Sequence, residues 1–86
     1  MDVRVQFGRI LRRLRKDRAM TQEELAFQAG MDVTYISDLE RGRSNPSLAV
    51  LVDLARVLGT HPSRLLADLV IEPEDAPPQR KRPAGP

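Results

Sequence analysis

Within the stretch Thr21 to Gly42, TQEELAFQAGMDVTYISDLERG, the residues whose types and spacing could do chemistry are Thr34, Tyr35, Ser37, Asp38 and Arg41. Their hydroxyls, carboxylate and guanidinium can donate and accept hydrogen bonds over an extended polar surface. They do not assemble a nucleophile. Ser37 and Asp38 are adjacent and so point in different directions on a helix, and the single histidine, His61, belongs to a separate helix start; no Ser-His-Asp triad is expected. Glu23 and Glu24 fall in the first turn of a helix, where carboxylates suit the dipole, and read as a solvated pair. The chain has no cysteine, which excludes disulfides, thiolate zinc sites and thiol catalysis, and one histidine cannot by itself make a metal site. No glycine-rich phosphate loop occurs. The expectation is a protein that is not an enzyme, with no catalytic residue, no metal and no cofactor.

Helices must position this polar set. Val3, Phe7, Ile10, Leu11 and Leu14 form one stripe of a first helix over residues 3–18, with Arg9, Arg12, Arg13 and Lys16 on the opposite side and Arg15 on the stripe's margin. Thr21 then caps a second helix. Glu24 completes a capping box, Met20 and Leu25 make a hydrophobic staple, and Gly30 permits the helix to end. Asp32 caps a third helix from Val33, with Met31 and Ile36 as its staple. Only Gly30, Met31 and Asp32 separate these two helices, so they must cross sharply. With Ile36, Leu39 and Glu40 inward, Thr34, Asp38 and Arg41 point directly away, and Ser37 and Tyr35 lie on the flanks. A polar outer face of this kind suits a helix placed in a DNA groove; it also suits an ordinary solvated helix, and the wheel alone does not separate the two.

After the loop Arg41 to Pro46, Ser47 is placed to cap a fourth helix, Leu48 to Leu58, stopped by Gly59. Leu48, Leu51, Leu54, Ala55 and Leu58 are its expected core side, with Val50 and Val57 roughly opposite. Pro62 suits the first turn of a fifth helix, with Thr60 or His61 in the cap region. Leu65, Leu66, Leu69, Val70 and Ile71 are more apolar residues than a terminal helix packed on one side needs, so Val57, Leu66, Leu69 and Val70 are the expected surface for a second subunit. Five of the fifteen residues from Glu72 to Pro86 are proline. The expected organisation is therefore an all-α domain over residues 1–71 and a disordered, Pro-rich basic tail over 72–86, whose Arg80-Lys81-Arg82 cluster reads as solubilising.

Eighty-six residues make one small domain near the size where a single core is only marginally stable, so a dimer would add useful stability. Formal net charge is only +2, but residues 1–18 carry seven basic side chains against two acidic, whereas residues 19–71 carry four against seven. Such asymmetry is compatible with a polyanionic partner. No apolar run approaches the ~20 residues of a membrane span, and no signal peptide opens the chain, so a cytoplasmic location without membrane contact is expected.

Residues 10–66 resemble the phage-repressor, or Cro-like, helix-turn-helix family, also called the xenobiotic-response-element type. The matching elements are Leu14-Arg15, TQEELA from Thr21, Gly30, YIS from Tyr35, LERG from Leu39, Asn45-Pro46-Ser47, LARVLG from Leu54, and Leu65-Leu66. The resemblance implies a compact five-helix, lambda-repressor-like domain that binds double-stranded operator DNA as a homodimer. Helix 33–40 would lie in the major groove, and the protein would be a bacterial or phage transcription regulator, nucleoid-associated when DNA-bound. Carried onto this sequence, it makes Gln22 a phosphate contact that braces the recognition helix, and Val33, Thr34 and Asp38 readers of base edges. Tyr35 and Ser37 would contact bases or flanking phosphates, and Arg43 and Asn45 the DNA backbone. Arg15 and Glu40 would form an internal salt bridge.

The chain also departs from the family pattern. Between Val33 and Glu40 there is no Gln, Asn, Arg or Lys, the usual bidentate readers of adenine and guanine. Arg41, at the exposed end of the helix, is the expected guanine or phosphate contact. TYIS followed by LERG is similar to restriction–modification controller proteins. Two alternatives share the fold: a DNA-binding antitoxin whose free surface binds a toxin, and a protein–protein adaptor.

Overall fold

The computed structural model describes residues 1–73. They form four α-helices, α1 (Val3–Asp17), α2 (Gln22–Ala29), α3 (Val33–Glu40) and α4 (Leu48–Leu58), followed by a 3₁₀ turn, Pro62–Leu65; no strand occurs among the described residues. The expected tail with its Arg80-Lys81-Arg82 cluster lies, from residue 74 on, outside the described residues.

Each helix starts at a polar cap. The Asp2, Asp32 and Ser47 side chains accept from Arg4 N, Thr34 N and Val50 N, and Thr21 with Glu24 closes a full capping box. These contacts satisfy amide groups that a helix start leaves without intrahelical partners. α2 ends at Gly30 with φ 68°, a left-handed conformation, and Met31 N donates back to Ala26 O at 2.8 Å. That backbone turn is what lets α3 begin at once in a new direction. The core joins Phe7, Leu11, Leu25, Ile36, Leu39, Leu54, Leu58 and Leu65, with Ala26, Leu51 and Ala55 filling between them.

The fifth helix is the main correction. Where the apolar run from Leu65 predicts an α-helix, the chain makes one 3₁₀ turn, with Arg64 N bonded to His61 O at 2.9 Å and Leu66 N to Ser63 O at 3.1 Å. Contacts with α1 override the local preference. The Gln6 side chain donates to Val70 O at 3.0 Å and accepts from Val70 N at 2.8 Å, while Arg13 reaches Asp68 at 2.8 Å. The segment after Leu65 is thereby drawn back along α1 instead of continuing as a helix. Leu48 is a second correction: the wheel placed it in the core, but it is 76% exposed. As the first residue of α4 it projects past the helix start, where the fold supplies no neighbour. Val50 and Val57, on the other hand, pack against the core.

Gln6→Leu removes the amide that pairs both backbone groups of Val70. Because the segment is solvent-exposed, the expected loss of global stability is below about 1.5 kcal/mol, but proteolysis and amide exchange between residues 66 and 73 should accelerate. Unchanged protection of that segment would show that Gln6 does not hold it.

Candidate nucleic-acid interface

The outer surface of α3 is built from short polar side chains because its inner surface is committed. Ile36 and Leu39 are fully buried, and Glu40 is the third inward residue. Thr34 is exposed and Val33 is 39% exposed at the start of the helix, while Ser37 and Asp38 are half-buried farther along. Tyr35 is also half-buried, with its ring against the core cluster. Arg41 caps the C-terminal end in a near-helical conformation, and the chain then turns back so that Arg43 N donates to Asp38 O at 2.8 Å. Arg41, Arg43 and Asn45 are exposed, and among the described residues neither arginine is engaged in an ion pair. A surface of hydroxyls and one carboxylate, bordered by two free guanidinium groups, therefore runs along α3 into the loop.

Beneath that surface lies a buried polar cluster. Arg15 Nε donates to Glu40 Oε2 at 2.6 Å and Arg15 Nη2 to Glu40 Oε1 at 3.0 Å, a bidentate pair whose side chains are only 9% and 2% exposed. Arg15 Nη1 donates to Met20 O at 2.8 Å, and Gln22 Nε2 donates to Glu40 Oε1 at 3.0 Å. The three helices thus meet at one carboxylate: Arg15 comes from α1, Gln22 from the first residue of α2, and Glu40 from the last residue of α3. Among the described residues no buried side-chain nitrogen or oxygen lacks a partner. Hydrogen bonding to Glu40 raises the Arg15 pKa above its ordinary value, against a smaller opposing effect of burial. Stability from a raised pKa is present at all lower pH and is lost only as pH climbs through the folded-state value, so the arginine does not switch near neutrality.

Gln22 serves this cluster with one amide hydrogen and keeps a second donor on the same nitrogen. His61 is far from any catalytic arrangement. Its Nδ1 accepts from Ser63 N at 3.1 Å and lies 2.9 Å from Ser63 Oγ, so it caps the 3₁₀ turn. Among the described residues no group of three or more His, Cys, Asp or Glu could hold a metal. Two residues outside the sequence-based set bear on the interface. Gly8 of α1 touches the last carbonyls of α3, and Gln6 holds the segment carrying Leu66, Leu69 and Val70. A glycine in mid-helix, where alanine is the better helix former, is the signal that marks the first; a lone glutamine in an amphipathic helix gives none.

Arg15→Ala strands the Glu40 carboxylate beneath α3. Removing one partner of a buried ion pair costs about 3–5 kcal/mol, which for a domain of this size lowers Tm by more than ~10 °C. A thermal melt that superimposes on wild type would refute this.

Comparisons with known proteins agree with that geometry. The family model described as Helix-turn-helix matches residues 11–65. The control protein C.BamHI of Bacillus amyloliquefaciens is 41% identical over 66 residues, covering 76% of this chain and 82% of that protein. The crystal structure of the restriction–modification controller protein C.AhdI from Aeromonas hydrophila superposes with a TM-score of 0.71 at 42% identity, covering 72% of this chain and 94% of that one. SinR, a master regulator for biofilm formation crystallised in complex with DNA, superposes with a TM-score of 0.67 at 33% identity, covering 70% and 97%. The chain belongs to the helix-turn-helix family of the phage-repressor, xenobiotic-response-element type, whose members are DNA-binding transcriptional regulators and not enzymes.

Proposed function

We propose that the protein is an operator-binding transcriptional regulator of the restriction–modification controller kind, working in the cytoplasm as a homodimer with α3 in the major groove. The observation that carries the reading is the pairing of a polar α3 surface with an anchored C-terminal end: Glu40 is tied to both α1 and α2, so the exposed side chains are presented on a rigid element. Rigid presentation is what base recognition requires. The controllers C.BamHI and C.AhdI, together with the DNA complex of SinR, support the same reading.

In this reading Val33 and Thr34 contact thymine methyl groups or neighbouring base edges, and Asp38 accepts from a cytosine amino group. Ser37 and Tyr35 reach bases or flanking phosphates. Because Asp38 repels phosphate, affinity must come from other groups. The second amide hydrogen of Gln22, the free N–H groups at the start of α2, and Arg41, Arg43 and Asn45 supply it.

The dimer face is the segment after Leu65. Leu66 is 43% and Val70 62% exposed, Leu69 is half-buried, and Leu66 and Leu69 line a largely apolar groove with Val3, Phe7, Pro46 and Leu51, which Arg4 and Asn45 border. Val57 packs on the core nearby and contributes its remaining exposed edge. Reading an operator as a homodimer requires a two-fold pair joined there to set its two α3 helices about one DNA turn apart.

Selection of bound fragments from random duplex DNA should yield a two-fold symmetric consensus with half-sites about 10 base pairs apart. No retention of duplex DNA at about 50 mM salt would defeat the reading and favour a protein–protein adaptor. Thr34→Ala or Arg41→Ala should relax or redirect the consensus, whereas Arg43→Ala should weaken all duplexes alike and flatten the salt slope by about one. Leu69→Asp should give a monomer in sedimentation with greatly weakened operator binding; a dimer of wild-type affinity would move the interface elsewhere.

A further inference from the structure

α3 is held at two ends by different means. Its start is tied to α2 through Gly30, Met31 and Asp32, with Met31 N bonded to Ala26 O. Its end is held by α1, and there the contact is backbone against backbone. Gly8 is buried in the middle of α1, and a Cβ built on it would stand 2.6 Å from the Leu39 carbonyl oxygen, 2.7 Å from the Glu40 carbonyl carbon, and closer still to the Glu40 carbonyl oxygen. These are main-chain atoms at the end of a helix, so no rotamer change relieves the clash. One turn earlier, Val5 lies against Gly42, whose φ is +75° and whose hypothetical Cβ would fall 2.8 Å from the Val5 side chain. The face of α1 from Val5 to Gly8 is therefore the seat on which residues 39–42 rest.

We propose that Gly8 is a positioning residue for DNA reading: its missing side chain sets the tilt of α3, although it lies on another helix and touches no DNA. The inference rests on the reading of α3 as the helix that contacts bases. A normal carbon–oxygen contact is about 3.3 Å, so a methyl group at position 8 forces the Leu39 carbonyl oxygen to retreat by roughly 0.7 Å and the Glu40 oxygen farther. α3 gives way more readily than α1, because it is a helix of 8 residues against 15 and runs straight into a loop, while α1 is seated by Phe7, Ile10 and Leu11; the Arg15–Glu40 pair is strained by the shift. α3 must then pivot about its start. Val33 and Thr34 move least, and Asp38 moves most together with the loop bonded to it through Arg43 N. Binding groups tolerate misplacement of only about 0.5 Å, so sequence reading at the C-terminal half of α3 is lost while phosphate attraction persists.

Three proteins test this: wild type, Gly8→Ala, and Val50→Ala, the last trimming a side chain of α4 that packs on the core. Alanine is the better helix former, so without the close contact Gly8→Ala would raise Tm; the expected result is a lower Tm. Amide resonances of residues 39–43 should shift more than those of Val33 and Thr34. The ratio of operator to non-specific affinity should fall about tenfold, with non-specific binding and its salt slope unchanged. Val50→Ala should lower Tm and keep the wild-type ratio at a temperature where both variants are folded. If Gly8→Ala does not fold in buffer alone, the same comparison of all three proteins is made in a stabilising osmolyte such as trimethylamine N-oxide, which favours the buried state of each. A raised Tm with unmoved 39–43 resonances, a wild-type ratio in Gly8→Ala, or an equal loss in Val50→Ala would each overturn the proposal. A wild-type protein that prefers no sequence is a different result and overturns the operator reading together with this one.

Discussion

A buried carboxylate governs this domain. Glu40 closes α3, and every polar atom it presents inward is met by a group from elsewhere: two nitrogens of Arg15 from α1 and the amide of Gln22 from α2. A charge taken out of water is tolerated only when it is paired and its remaining hydrogen-bonding capacity is filled. That requirement ties three helices to one point. Hydrophobic contacts hold the same helices together but are non-directional; the bidentate geometry of Arg15 adds the direction. The cluster therefore does less to increase net stability than to specify a single arrangement, which is what a helix used for recognition needs.

In the proposed reading of α3, affinity and selectivity are carried by different residues. The exposed residues of α3 include no long cation before Arg41, and Asp38 is acidic, so the helix itself attracts phosphate poorly. The free guanidinium groups stand at its end and in the following loop. A division of this kind lets backbone contacts set register while short side chains sample base edges. It also makes the alignment of α3 unusually consequential, because Thr34 and Asp38 have little reach with which to compensate for a displaced helix.

Much of the fold was legible in the residues. Thr21 with Glu24, Asp32, Ser47, Gly30 and Gly59 mark helix ends because capping and left-handed turns are local, decided by a few neighbouring backbone groups. The outward set Thr34, Asp38 and Arg41 follows from helical periodicity, which is likewise local. The end of the chain was not legible. Leu65 to Ile71 has the composition of a helix, yet the only turn is 3₁₀ and ends at Leu65, and the residues after it run irregularly along α1, where the amide of Gln6, some sixty positions away in sequence, pairs with the backbone of Val70. Leu48 was misplaced for a similar reason: a wheel shows which side of a helix a residue occupies but not whether anything stands opposite its first turn.

The sequence by itself determined the helix starts capped by Thr21, Asp32 and Ser47, the sharp α2–α3 turn and the outward direction of Thr34 and Arg41. All of these depend on interactions within a few residues of one another. Only the tertiary structure decided that Arg15 and Gln22 converge on Glu40, that Gly8 lies against the last carbonyls of α3, and that the segment after Leu65 leaves its helix for α1. Those outcomes depend on which backbones approach closely enough to exclude a side chain or share a hydrogen bond. That is a property of helices packed against one another and is encoded in no single stretch.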